Sequence, residues 1–157
     1  MPISLPVQPI TAKRTAMIAA ADNSCACRAC RACCHRTPGW FAPGEAEKAA
    51  ELLGVSFEEF KHRYLIVNYW DSPSGDTFVL APKKLDETGT PIGADCAVAS
   101  LGYNLRYGRC VFLDENELCS IHAAKPMECR LSFGCKVVNG AREAVVRAWQ
   151  QSGADPR

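Results

Sequence analysis

Cysteines are the residues of this chain best suited to chemistry, with ten among 157 residues. Half of them fall between Cys25 and Cys34, and four follow the spacing Cys27-x2-Cys30-x2-Cys33-Cys34. A two-residue gap lets a tight turn aim two sulfurs at one point, as in zinc sites and iron–sulfur proteins. The spacing therefore predicts a metal site rather than incidental buried thiols.

The adjacent pair Cys33-Cys34 limits how this run can bind. Neighbouring side chains normally point apart, so either one of the pair is not a ligand or the two serve different metals. One segment supplies at most three or four sulfurs to a closed site. Further ligands must come from the second group of cysteines, which comprises Cys96, Cys110, Cys119, Cys129 and Cys135.

Two histidines stand near cysteines and are further candidate ligands. His35 follows the first group directly, and His122 lies in the second group. A histidine in such a place more often supports a ligand or faces solvent than binds the metal. Zinc and iron–sulfur chemistry both stay open, although the Cys-x3-Cys-Pro continuation of bacterial ferredoxins is missing. The cysteine spacing of radical S-adenosylmethionine enzymes is missing too.

Composition narrows the class of protein. The chain is 48% hydrophobic and 22% charged, with a formal net charge of +1, which favours one globular domain and gives no broad attraction to nucleic acid. No apolar run approaches the roughly 20 residues needed to span a bilayer. Residues 1–23 lack the apolar stretch of a secretory signal. We therefore expect a cytoplasmic protein, in which clustered thiols favour metal over disulfides.

Two helices are predicted after the first cysteine group. One begins at the helix-starting Pro43 and ends at Gly54. The next begins with a capping box, in which Ser56 is the N-cap and Glu59 follows three residues later. These features predict a helical hairpin with an aromatic seam on one face of the second helix, formed by Phe60, Tyr64 and Val67.

Shorter elements are predicted in the second half of the chain. Residues 76–85 have the composition of a strand and residues 86–91 that of a turn. Short apolar pieces between residues 93 and 120 suit a small irregular sheet or metal-binding loops. Pro126 can open a brief helix, and a final helix is expected after Asn139-Gly140.

These elements predict a small α+β, mostly helical, metal-stabilised single domain with short irregular strands. Residues 1–24 are expected to form a flexible amino-terminal arm, since they contain three prolines and little periodicity. Residues 25–151 would then form the cysteine-cluster domain, and residues 152–157 a carboxy-terminal tail.

Five motifs together resemble one bacterial family. They are Cys27-x2-Cys30-x2-Cys33-Cys34, Pro38-Gly39-Trp40 leading to Glu45, Gly108-Arg109-Cys110-Val111-Phe112-Leu113, Cys119-Ser120-Ile121-His122 and Pro126-Met127-Glu128-Cys129-Arg130. Their order is similar to that of the YkgJ-type cysteine cluster family, the zinc- or iron-chelating CxxCxxCC domain. Cys25 and Cys96 lie outside the motifs. The resemblance implies eight metal ligands, namely Cys27, Cys30, Cys33, Cys34, Cys110, Cys119, Cys129 and Cys135.

The resemblance implies a metal-chelating domain, and the first hypothesis is a metal-binding protein with a structural or accessory role. Its cofactor would be zinc or iron, including an iron–sulfur cluster, and its partners a metal ion and another protein. Flagellin lysine methylases have a similar cysteine cluster, so the alternative is a metal-dependent enzyme or an accessory of a protein methyltransferase. The glycine-rich turn that would cradle S-adenosylmethionine is missing from the sequence. We therefore expect no catalytic activity of the chain itself.

A third hypothesis is a zinc-supported module that binds nucleic acid or protein through exposed aromatic residues. Aromatic residues at such spacing are more often part of the core, and basic residues do not form the stripe that nucleic-acid binding requires. We therefore expect no nucleic-acid or membrane partner.

Overall fold

The first cysteine group stands on a short helical segment. A computed structural model describes residues 28–93, 97–132 and 139–157, so Cys25, Cys27, Cys96 and Cys135 lie outside the described residues. Helix α1 (Arg28–Ala32) runs directly into the 3₁₀ helix η1 (Cys33–His35). Neither contains a buried residue, so this segment depends on its contacts with the rest of the domain.

The predicted helical hairpin is present. Helix α2 (Glu45–Leu53) begins two residues after Pro43, because that proline and Gly44 form a turn ahead of it. Helix α3 (Phe57–Tyr64) starts at the predicted cap, where Ser56 Oγ accepts a hydrogen bond from the backbone N–H of Glu59 at 3.1 Å. The two helices contact each other.

The aromatic face of α3 is shorter than predicted. Phe60 and Tyr64 are buried on it, but the helix ends at Tyr64. The assignment of Val67 to this face is wrong, because it lies in strand β1 (Leu65–Trp70). β-branched and aromatic residues dominate this stretch and favour a strand once a partner strand is available.

Two small antiparallel sheets follow. Strand β1 pairs with β2 (Thr77–Pro82) along its whole length. The strand predicted over residues 76–85 is interrupted at Lys83, after which β3 (Lys84–Leu85) turns away to pair with β4 (Arg109–Cys110). In that second sheet Lys84 lies opposite Cys110. The sheet therefore fixes the position of Cys110, a cysteine of the second group.

Two buried lysines hold the start of β3 in place. Lys83 Nζ donates to the carbonyl of His62 in the last turn of α3 at 2.7 Å. Lys84 Nζ donates to the carbonyl of Tyr103 at 2.9 Å, near the end of helix α4 (Leu101–Leu105), a helix that the sequence pattern did not predict. Carbonyls in the last turn of a helix lack intrahelical partners. Each ammonium group thus joins β3 to the end of a helix, and burial lowers the pKa of Lys84.

An aromatic cluster forms the centre of the core. The Phe60 ring lies 6.4 Å from Phe41, 5.3 Å from Tyr64 and 5.6 Å from Phe112, measured between ring centroids. Phe112 follows Cys110 by two residues. The packing of α3 therefore extends directly to the loop that carries a cysteine of the second group.

The carboxy-terminal helices close the domain. The 3₁₀ helix η2 (His122–Ala124) precedes α5 (Met127–Leu131), which begins after Pro126 as predicted. Helix α6 (Ala141–Ser152) begins after Gly140, also as predicted. The indole N–H of Trp149 donates to the carbonyl of Phe41 at 2.7 Å and joins α6 to the core.

The small α+β fold class is confirmed. The division into residues 1–24, 25–151 and 152–157 stays a prediction, and the first of these ranges lies outside the described residues. In the last range, the guanidinium of Arg157 lies 3.9 Å from the centroid of the Phe78 ring. Among the described residues, no helix has the length and apolar character needed to cross a membrane.

The position of Phe60 makes the stability of the core testable. Replacing Phe60 with alanine should lower the free energy of unfolding by about 3–5 kcal/mol, because this fully buried ring contacts three others. Leu101→Ala is the control, since Leu101 is 65% exposed and its truncation should cost about 0.5 kcal/mol or less. Urea denaturation measures both, and equal losses would contradict the packing described.

Candidate metal centre

Four cysteines from four separate segments come together. Cys34 belongs to η1, Cys110 to β4, Cys119 to the loop before η2 and Cys129 to α5. Every pair among the four interacts electrostatically, each negative charge raising the pKa of another thiol. The fold thus gathers one thiol of the first cysteine group and three of the second.

Burial is the largest influence on these thiols. It raises the pKa of Cys119 to about 11, and it also raises the pKa of Cys110 and of Cys129 well above the ordinary value. Burial and the neighbouring Cys33 also raise the pKa of Cys34. Thiols in such surroundings are protonated at neutral pH unless a metal displaces the proton, and they are poor nucleophiles. The cluster is therefore suited to binding a metal and not to nucleophilic catalysis.

Backbone hydrogen bonds act in the opposite direction on all four sulfurs, and that of Cys34 comes from its own backbone. Cys110 and Cys119 each receive one from the residue two positions further along the chain, and Cys129 receives one from Gly39. Each of these bonds lowers the pKa of its thiol, because it stabilises the charged form. A thiolate bound to a metal is that charged form, so the backbone is already arranged to support it.

Charged side chains of both signs surround the cluster. The ammonium of Lys125 lowers the pKa of Cys34 and of Cys119. The carboxylates of Asp114, Glu117 and Glu128 each raise the pKa of one of the four thiols. Lys125 is thus placed to offset part of the negative charge that four thiolates would carry.

The structure distinguishes the two adjacent cysteines. Cys34 is half-buried among the other three thiols, whereas Cys33 is exposed. Cys30 is half-buried on α1. No disulfide joins any of the six cysteines in the described ranges. Two of the eight predicted ligands, Cys27 and Cys135, lie outside those ranges, as do Cys25 and Cys96.

The two candidate histidines occupy different surroundings. His35 Nε2 lies 2.6 Å from Glu117 Oε2, and both side chains are nearly half exposed. His122 is half-buried on η2. In residues 28–93, 97–132 and 139–157, no three cysteine, histidine or carboxylate side chains are already arranged to hold a metal ion. Metal binding would therefore require the gathered thiols to close around the ion.

The loop between Cys110 and Cys119 is fixed by its own side chains. Asp114 Oδ1 accepts hydrogen bonds from the backbone N–H groups of Asn116 and Leu118, at 2.8 and 3.0 Å. Such an Asx turn sets the direction in which the chain returns. This turn brings Cys119 back towards Cys110, in a stretch where the sequence predicts only a small irregular sheet or metal-binding loops.

Gly39 lies against the sulfur of Cys129. A Cβ atom at residue 39 would lie 2.5 Å from Cys129 Sγ and 3.0 Å from the backbone nitrogen of Cys129. Because one of these neighbours is backbone, a side-chain rotation alone cannot make room. Sequence reasoning placed Gly39 in a turn motif but did not assign it to the site, since the contact joins residues far apart in the chain.

This contact predicts a cost for any side chain at residue 39. Gly39→Ala should lower the free energy of unfolding by about 1–3 kcal/mol through overpacking. Gly102→Ala is the matched control, because a Cβ there meets only Ser100 Oγ at an ordinary 3.7 Å, and it should be neutral or stabilising. Thermal and urea unfolding of both variants test this, and an unchanged Gly39→Ala protein would refute the close approach.

Comparisons with known proteins identify the family. No curated protein and no solved structure matches the chain. A family model, CxxCxxCC, described as "Putative zinc- or iron-chelating domain", matches residues 26–137, which are more than two thirds of the chain. The matched range contains the Cys27 to Cys34 run and all four gathered cysteines, and the resemblance stated from the motifs is confirmed. The chain therefore belongs to the CxxCxxCC family of zinc- or iron-chelating domains.

Proposed function

We propose that Cys34, Cys110, Cys119 and Cys129 bind one zinc or iron ion as a four-thiolate centre with a structural or accessory role. This proposal rests on one observation. Four thiols from four segments lie together, and every pair of them interacts electrostatically. Sulfur ligands favour zinc and iron over magnesium or calcium, and four cysteines make a tetrahedral site.

The surroundings of the four thiols favour a structural or accessory role over catalysis. A catalytic zinc site keeps one position open for water or substrate, whereas four protein ligands close the site. A cleft of about 330 Å³ opens beside β4, but none of the six cysteines in the described ranges lines it. A substrate in that cleft would not meet the gathered thiols. Reduced, metal-binding thiols also fit the cytoplasmic location that we propose for the chain.

The other four predicted ligands are Cys27, Cys30, Cys33 and Cys135. If they also bind metal, the chain holds a second ion, because the four-thiolate centre has no free position for them. Metal content therefore separates the two arrangements. One ion per chain supports the four-thiolate centre alone, and two ions would add a site built on the first cysteine run.

Single Cys→Ser variants at residues 34, 110, 119 and 129 test the centre. Each should lower metal affinity by about tenfold or more, because a four-coordinate site loses one ligand. Cys33→Ser is the matched control, since Cys33 is adjacent to Cys34 but exposed, and at least one ion should remain bound. Anaerobic purification and elemental analysis give the metal and its stoichiometry. A wild-type chain without zinc or iron, or full metal content in all four variants, would refute the proposal.

Proton release provides a separate test. The raised pKa values keep all four thiols protonated at pH 7 in the metal-free chain, so metal binding should displace about four protons. Apparent affinity should therefore fall as the pH falls, by about four orders of magnitude per pH unit near neutrality. Calorimetry in two buffers of different ionisation enthalpy measures the release, and a value near zero would contradict thiolate ligation.

A further inference from the structure

We propose that Glu128 is a positioning residue of the metal centre, which sets the place of Cys129 through the Gly39-Trp40 segment. This inference rests on the proposed function, because it concerns the same centre. Glu128 is adjacent to Cys129 on α5, and its side chain is only 13% exposed. A carboxylate so largely covered needs partners for both of its oxygens.

One oxygen of Glu128 holds Trp40. The backbone N–H of Trp40 donates to Glu128 Oε2 at 2.7 Å, and the backbone N–H of Glu128 donates to the carbonyl of Trp40 at 3.3 Å. The two residues thus exchange a pair of hydrogen bonds across 88 positions of sequence. This pair fixes the backbone of residue 40 relative to the start of α5.

Fixing residue 40 also fixes residue 39. The backbone of Gly39 supplies the hydrogen bond to the Cys129 sulfur, and its α-carbon lies so close that a Cβ would clash with that sulfur. The carboxylate of Glu128 therefore acts on Cys129 through Trp40 and Gly39 rather than by touching the thiol.

The other oxygen of Glu128 is held by Arg142 of α6. Arg142 Nε and Nη2 lie 3.0 and 2.9 Å from Glu128 Oε1, and the guanidinium carbon lies 4.2 Å from the centroid of the Trp40 ring. Such a paired, charge-assisted contact is directional and strong. Arg142 thus offsets the carboxylate charge beside the thiols. Its guanidinium also lies over the ring of Trp40, the residue whose backbone is hydrogen-bonded to Glu128.

A role as a metal ligand does not fit this arrangement. Both Glu128 oxygens already have partners: one accepts from a backbone N–H and the other from a guanidinium.

Glu45 has a similar anchoring role, since its Oε2 accepts hydrogen bonds from the backbone N–H groups of Met127 and Ala42, at 2.8 and 2.7 Å. Helix α5 has five residues, too few to be stable alone, so these carboxylates anchor it where Cys129 is needed.

Glu128→Ala, Glu128→Gln and the control Glu59→Gln test the inference in the full chain. Glu59 is also a carboxylate paired with an arginine, Arg63, but on the exposed face of α3. Zinc affinity, measured by competition with a chromophoric chelator, should fall by about 10–100-fold in Glu128→Ala, as for other residues that support a metal ligand. Glu128→Gln should retain more affinity, because its amide oxygen can still accept from Trp40. Glu59→Gln should match the wild type.

A second measurement separates positioning from a general loss of structure. In the metal-free chain, iodoacetamide should alkylate Cys129 several-fold faster in Glu128→Ala than in Glu128→Gln, because both variants remove the carboxylate charge but only the alanine loses the acceptor for Trp40. Alkylation of Cys110 should differ much less between the two variants. Unchanged zinc affinity in Glu128→Ala, or equal acceleration at both cysteines, would overturn the inference. A wild-type chain that binds no metal would refute the proposed function instead, and the alkylation ratio would still test the positioning of Cys129.

Discussion

The structure depends on bringing four sulfurs from separate segments into one place, where Cys110 is buried and the other three cysteines are half-buried. None of these segments is long enough to hold its own position: η1 has three residues, β4 two and α5 five. Each is fixed by other parts of the domain. Lys84 and the pairing of β3 hold β4, the Asp114 turn returns the chain to Cys119, and two carboxylates anchor α5.

The gathered thiols and the fold support each other. Burial disfavours the thiolate, whereas backbone N–H groups and Lys125 favour it. Without metal the balance leaves neutral thiols, which a protein interior accepts at little cost. In the proposed metal-bound state the same groups would stabilise the thiolates, and part of the binding free energy would become folding free energy. Segments α1 and η1 contain no buried residue, so we expect metal binding to stabilise them the most.

Local patterns predicted the features that a few neighbouring residues determine. The Ser56 cap, the helix after Pro126 and the metal signal of the cysteine run depend on short stretches of sequence, and so could be recognised from them. The helical prediction for Val67 is wrong because this residue pairs with strand β2, and no local pattern shows that partner. The difference between Cys33 and Cys34 depends on what packs against η1. Glu128 and Gly39 belonged to recognised motifs, but their contact spans almost ninety residues and no local pattern reveals it.

The two buried lysines change what the net charge means for other molecules. The formal charge of +1 counts Lys83 and Lys84, yet their side chains are 1% and 2% exposed and are bound to carbonyl groups inside the domain. Burial does not remove these charges from the field of the protein, but it prevents either ammonium group from forming an ion pair with another molecule. The cations available for direct contact with a polyanion are therefore two fewer than the composition suggests.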